Sequence, residues 1–153
     1  GREFRVMTNV PTYAEQLALL KKQDFSKPES DVPVPGNVNS VDRFQRATYY
    51  LNNLTPPKSE RAAAAGILSV ARIVSIPFGA PYKGGIYDTE YRTAADLTNK
   101  VYYFELTTSP SVIWTNLSAM NLEPGQPVRL LNPDNVELSG NVMGSFRAGP
   151  APF

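Results

Sequence analysis

The sequence predicts an α+β protein in which helices come first and strands follow. Caps of the serine or threonine type precede three segments with apolar residues at helical spacing, all in the first half of the chain. The second half is instead rich in tyrosine, threonine and valine in short runs, which favours antiparallel strands. This order indicates a helical layer packed against an antiparallel sheet.

Local signals define the first two helices. Thr12 and Glu15 fit a capping box for a helix that ends near Lys22. Ser40 is the expected cap of a second helix, which Pro56-Pro57 ends. Between them, residues 26–39 are rich in proline and glycine and predict an extended loop. The apolar stripe of the first helix consists of Tyr13, Leu17 and Leu20, and that of the second of Val41, Phe44, Thr48 and Leu51.

The third helix is capped by Ser59 and runs from Glu60 to about Val74. Its segment Ala62–Leu68 is apolar almost all round, so we expect cover on more than one side. The small side chains would allow a neighbouring layer to approach closely.

Five later or flanking runs have strand character. They are Arg5–Thr8, Tyr87–Thr93, Val101–Thr107, Val112–Thr115 and Pro127–Leu131. Asp96 and Asn99 lie in a link that fits a hairpin turn. A sheet of about four strands needs cover on both faces, and three helices do not supply it. The sheet is therefore expected to continue into a partner chain, a second copy or a missing half.

Cysteine and histidine are both absent from the 153 residues. The chain therefore contains no thiolate nucleophile, no disulfide framework and no Ser-His-Asp triad. No metal site or cofactor site is expected from it. Any catalysis must use other groups, such as paired carboxylates, a lysine or a terminal amine that acts as the base.

The net charge of +1 and the scattered basic residues give no electrostatic case for nucleic acid or for an anionic membrane. The first residues, Gly1–Arg5, lack the apolar region of a signal peptide, and no stretch reaches the length of a membrane span. These features leave the compartment open.

Two polar residues could belong to a site. Asn9 follows the first strand candidate and is read either as a turn residue or as an amide donor for a developing oxyanion. Arg43 lies on the second helix opposite its apolar stripe, where it is either solvated or a fixed charge beside a nucleophile. The carboxylates of the strand region are interpreted as surface charges: Asp88, Glu90, Asp96 and Glu105.

Several stretches together resemble the choloylglycine hydrolase and penicillin V acylase family. Their sequences are VMTNVPTY (6–13), PGNVNSVDRF (35–44), SIPFGAP (75–81), TEYRT (89–93) and DLTNK (96–100). Each is short, but their order and spacing agree over nearly the whole chain. The chain would then be the C-terminal portion, residues 1–153, of one N-terminal-nucleophile hydrolase domain.

The resemblance implies an αββα sandwich with antiparallel sheets. It also implies a cysteine, freed at the N-terminus by self-cleavage, that attacks an amide while its own α-amine acts as the base. Asn9 matches the family's oxyanion-stabilising asparagine, and Arg43 matches the arginine beside the nucleophile. The family's nucleophile and three further active-site residues belong to a missing N-terminal half, and Gly1 has no side chain that could replace the cysteine.

The sequence differs from the family pattern at two places. Val10 stands where many members carry a polar residue, which leaves the polarity beside Asn9 open. The segment between Asn9 and Arg43 is shorter than in the bile salt hydrolases and is similar to that of Gram-negative members. Those members usually carry a signal peptide, so a periplasmic or secreted location would follow if one precedes this chain.

The resemblance therefore implies hydrolysis of linear non-peptide amides of the penicillin V, N-acyl homoserine lactone or conjugated bile salt type. The expected partners are an N-terminal fragment that carries the cysteine and a small acyl amide substrate, and a homo-oligomer is also open. The alternative is a non-catalytic binding or interaction protein built on a remnant of the same fold.

Overall fold

The computed structural model describes residues 5–23, 34–132 and 134–151. The helices are α1 Tyr13–Leu20, α2 Ser40–Asn52 and α3 Glu60–Ile73. All three predicted helices are confirmed, although α1 ends two residues before Lys22. The caps at Thr12 and Ser59 are confirmed as well. The loop predicted at 26–39 lies partly outside the described residues, which resume at residue 34.

The cap of α2 is Asn39 and not Ser40. The Asn39 side chain accepts a hydrogen bond from the backbone N–H of Asp42 at 2.9 Å. Ser40 is the first residue of the helix and is buried, and its side chain contacts the segment around Asn9. The prediction was wrong by one residue because both side chains suit a cap and only the tertiary contact distinguishes them.

The strands in chain order are β1 Pro81–Tyr82, β2 Gly85–Ile86, β3 Tyr91–Asp96, β4 Val101–Leu106, β5 Ile113–Asn116, β6 Arg129–Leu130, β7 Gly140–Asn141 and β8 Arg147–Ala148. The main sheet has the order β3-β4-β5-β7, with β3-β4 and β4-β5 antiparallel. The predicted hairpin is confirmed: Asp96 caps the turn by accepting from the backbone N–H groups of Thr98 and Asn99. An α+β fold with antiparallel pairing is thus present.

One strand prediction was wrong, and two were confirmed only in part. Arg5–Thr8 forms no strand, because Thr8 bonds the start of α2 instead of a neighbouring strand. Residues 87–90 form a loop, in which the Thr89 hydroxyl accepts from the backbone N–H of Ile76, and β3 begins only at Tyr91. The fourth strand of the main sheet is β7, parallel to β5, whereas residues 129–130 pair with β8 in a separate ribbon.

Helix α3 covers one face of the main sheet. Its buried residues are Leu68 and Val70, while Ile67 is 42% exposed. Helix α2 also packs against α3, so the predicted cover on more than one side is confirmed. None of the described helices has the length and apolar character that crossing a membrane requires.

Glu105 on β4 is buried beneath α3, so its interpretation as a surface charge was wrong. Its carboxylate accepts from Arg72 of α3 at 3.1 Å and from Arg92 of β3 at 3.0 Å. Arg92 also donates to the Ser75 hydroxyl at 3.1 Å. This ion cluster, defined as Glu105, Arg72 and Arg92, joins the helical layer to two strands.

Acid should weaken the fold through this cluster. Burial alone would raise the pKa of the Glu105 carboxyl, but hydrogen bonds from Arg92 and Arg72 outweigh it and hold that pKa below its ordinary value. A lowered folded-state pKa contributes stability that is complete above the unfolded pKa, about 4.3, and is lost as pH falls through the folded pKa. We expect the urea midpoint to fall across that window, and to fall less in Glu105→Gln. Equal slopes in both proteins would contradict the assignment.

Candidate functional site

The structure brings Asn9 and Arg43 together. Nη2 of Arg43 donates a hydrogen bond to Oδ1 of Asn9 at 2.8 Å, although 34 residues separate them. Asn9 lies on the segment before α1, and Arg43 lies in the first turn of α2. The two residues that the sequence singled out therefore form one site on the surface of the chain.

The contact fixes which way the Asn9 amide faces. A guanidinium has only donors, so the amide oxygen must be the atom that meets Arg43. The Nδ2 group consequently points away from the arginine. Among the hydrogen bonds of the described residues, Nδ2 of Asn9 donates to no acceptor, and the side chain is exposed. Its two N–H bonds are available to an oxygen atom outside this chain.

A second contact holds Arg43 in place. Its Nε donates to the backbone carbonyl of Val38 at 3.0 Å, so the planar fork spans Val38 and Asn9. The preceding loop is itself fixed, because Arg46 donates to the carbonyls of Pro35 and Asn37. A lysine could not reproduce this arrangement, since its donors all lie on one nitrogen and it lacks the planar fork.

Arg46 adds positive charge one turn further along α2. Burial lowers the pKa of its guanidinium, Asp42 opposes this change, and the like charge of Arg43 adds to it. An arginine remains protonated at neutral pH because the ordinary pKa of its guanidinium lies far above neutrality. The first two turns of α2 thus present two cations, one of which faces Asn9.

The residues on both sides of Asn9 are tied to α2. The Thr8 hydroxyl donates to the Ser40 carbonyl at 3.0 Å, and the Val10 backbone N–H donates to the Ser40 hydroxyl at 3.0 Å. The Val10–Pro11 peptide bond that follows is cis. The sequence interpretation missed this role of Ser40, which looked like a helix cap. Its proximity to Arg43 on the same helix was the available signal.

Apolar side chains flank the exposed amide. Met7 is 76% exposed and Val10 is 64% exposed. The Val10 side chain, which follows Asn9 in the sequence, is apolar and open to solvent.

The site offers amide donors, a positive charge and an apolar rim. The sequence supplies neither a cysteine thiol nor a histidine imidazole to it. In the described part of the chain, no three acidic, histidine or cysteine residues come close enough to hold a metal ion. The amide donors and the guanidinium suit an oxygen atom that carries negative charge.

The sequence matches a known protein family. A model of the choloylglycine hydrolase family, described as linear amide C–N hydrolases, matches residues 1–137. The sequence is 32% identical over 165 aligned positions to penicillin V acylase from Pectobacterium atrosepticum. That alignment covers 96% of this chain and 43% of the relative, so the chain spans less than half of that protein's length.

Solved structures agree with the sequence comparison. Penicillin V acylase from Agrobacterium tumefaciens superposes with a TM-score of 0.82 at 32% identity, over 98% of this chain and 49% of that protein. A mutant of the conjugated bile acid hydrolase from Clostridium perfringens superposes with a TM-score of 0.65 over 78% of this chain and 43% of that one. Its identity is 15%, and this likeness shows the fold alone.

Proposed function

Since the chain belongs to the choloylglycine hydrolase family of linear amide C–N hydrolases, we propose that it forms the C-terminal portion of an acylase that cleaves linear, non-peptide amides. Residues 1–153 would belong to a single N-terminal-nucleophile hydrolase domain. The observation that carries the proposal is the Arg43–Asn9 hydrogen bond at 2.8 Å, which turns the Asn9 amide donors outward.

In this proposal the nucleophile is a cysteine at the N-terminus of the preceding part of the protein. Its α-amine takes the thiol proton, the thiolate attacks the amide carbonyl, and negative charge develops on the carbonyl oxygen. Asn9 donates to that oxygen, and Arg43 fixes the amide and supplies positive charge beside it. The C–N bond breaks, the proton passes to the leaving amine, and water then hydrolyses the thioester to release the acid.

The proposed substrates have an apolar acyl group. Exposed Met7 and Val10 flank Asn9, which suits an apolar group attached to the reacting carbonyl. Two similar proteins, each 32% identical, are named penicillin V acylases. Penicillin V is therefore the first substrate to test, followed by an N-acyl homoserine lactone and a conjugated bile salt.

The proposed partner is the N-terminal part that carries the cysteine. The sheet face opposite α3 supports this proposal, because β3 and β4 present stacked rings of Tyr91 and Phe104 there, with centroids 5.7 Å apart. Tyr91 is 57% exposed and Tyr102, on the same face, is 39% exposed. Aromatic side chains are costly to leave in water, and a second sheet packed on this face would bury them. A homo-oligomer through the same face remains the alternative partner.

An assay on the natural protein tests the proposal. We expect intact mass and N-terminal sequencing to find this chain together with a segment that begins with cysteine. We expect that material to hydrolyse penicillin V or a medium-chain acyl homoserine lactone. The matched control replaces the N-terminal cysteine by alanine, which should remove turnover and leave assembly intact.

The opposite outcome identifies the second candidate function. A folded 153-residue species without a cysteine-initiated segment and without turnover would contradict the acylase proposal. It would favour a non-catalytic binding protein, which the absence of cysteine and histidine from this chain already allows.

A further inference from the structure

Gln16 of α1 is buried to an extent that is unusual for its residue type. Its side chain is 1% exposed, and it is one of the two largest fully buried side chains, together with Phe44. Glutamine is mostly exposed in proteins, so a fully buried one needs a reason. The Arg43–Asn9 contact described above does not involve it.

The side-chain amide of Gln16 bonds the two neighbours of Asn9. Nε2 donates to the carbonyl of Val10 at 2.8 Å and to the hydroxyl of Thr8 at 3.1 Å. Because the Thr8 oxygen accepts from Gln16, its own hydrogen is directed to the carbonyl of Ser40. A single chain of hydrogen bonds therefore runs from α1 through the segment around Asn9 to α2.

The oxygen atom of the same side-chain amide has no described partner. Oε1 of Gln16 is buried, and no donor among the described residues reaches it. A buried carbonyl that lacks a donor is unfavourable for folding. An apolar residue of similar length would avoid that cost, so packing alone does not explain a glutamine here. The two N–H donors do.

We propose that Gln16 is a positioning residue that holds Asn9 in the orientation required for oxyanion stabilisation. Ser40 ties Thr8 and Val10 to α2, and Gln16 ties the same two residues to α1. These bonds fix Asn9 through its two neighbours. No described hydrogen bond joins Gln16 to Asn9 itself. The inference rests on the proposed acylase function, because it assigns a purpose to the position of Asn9.

A double-mutant cycle in the complete enzyme, with its cysteine-bearing part present, tests the inference. Gln16→Met keeps side-chain length and removes both donors. We expect it to lower kcat for penicillin V about tenfold, since small displacements of a catalytic group are costly, with KM unchanged. In the Asn9→Ala background the same substitution should change kcat less than twofold, because no amide remains to be positioned.

Gln45→Met is the matched control. Gln45 is also buried, at 3% exposure, lies on α2 and makes no described hydrogen bond to residues 8–10. We expect it to leave kcat unchanged. Gln16→Glu is a second variant for the case in which methionine prevents folding. Its carboxylate cannot donate, whereas its protonated form can, so its kcat relative to the unsubstituted enzyme should rise as pH falls.

The outcomes separate the two proposals. If Gln16→Met lowers kcat by the same factor with and without Asn9, or if the relative kcat of Gln16→Glu does not vary with pH, the positioning role is overturned. If Asn9→Ala itself leaves kcat unchanged, the oxyanion role fails and the positioning role fails with it. A tenfold loss that disappears in the Asn9→Ala background supports both.

Discussion

Replacement of Asn9 by alanine is expected to lower kcat of the complete hydrolase by about 10²–10³, with little change in KM. An oxyanion donor acts where charge develops, so its loss raises the free energy of the transition state by about 3–4 kcal/mol and affects substrate binding much less. Arg43 holds the amide oxygen of Asn9, which leaves Nδ2 facing away from the guanidinium as the group that would donate. Steady-state kinetics with penicillin V measures it.

Two further variants make this expectation specific. Asn9→Asp keeps an oxygen for Arg43 but has no N–H to donate, so it should be about as slow as Asn9→Ala. Asn53→Ala is the control: Asn53 donates to the Tyr49 carbonyl at an exposed position. It lies ten residues beyond Arg43, about 15 Å along the axis of α2. A normal rate in Asn9→Asp would contradict donation by Nδ2.

The candidate site shows where prediction from sequence reaches its limit. Local pattern alone favoured a turn residue at Asn9 and a solvated side chain at Arg43 over functional groups. The resemblance to a family indicated both residues, but the hydrogen bond between them joins positions 34 apart. No periodicity encodes a contact at that separation. The same holds for Gln16, whose burial depends on the packing of α1 against α2 and not on the pattern of either helix.

The same limit applies to the fold: local features were predicted, and features that depend on distant contacts were not. Helix starts were predicted to within one residue, because caps and apolar spacing are local properties of the chain. Strand β7 was missed because it has two residues and begins with Gly140 at a φ of 69°, so it has no alternation to detect. Glu105 was misinterpreted because a charged residue on a strand normally faces solvent. Its partners Arg72 and Arg92 come from a helix and from the neighbouring strand, which no local pattern indicates.

Removal of the Glu105 carboxylate is expected to have the largest effect on stability. Glu105→Ala leaves Arg92, whose side chain is 13% exposed, without a counter-charge. Arg72 is 46% exposed and can be solvated, so Arg92 carries most of the cost. Loss of one partner of a buried ion pair destabilises proteins by about 3–5 kcal/mol. Because Arg72 is partly exposed, we expect the free energy of unfolding to fall by about 3 kcal/mol. Urea unfolding of the complete protein measures it.

A second substitution tests whether the unpaired charge is the cause. Glu105→Ala combined with Arg92→Met should recover part of the lost stability, because the buried cation is gone and an apolar side chain fills its place. Glu90→Ala is the matched control, since Glu90 is an exposed glutamate just before β3, and it should change the free energy of unfolding by less than about 0.5 kcal/mol. Destabilisation that simply adds in the double variant would show that Glu105 contributes by packing and not by compensating Arg92.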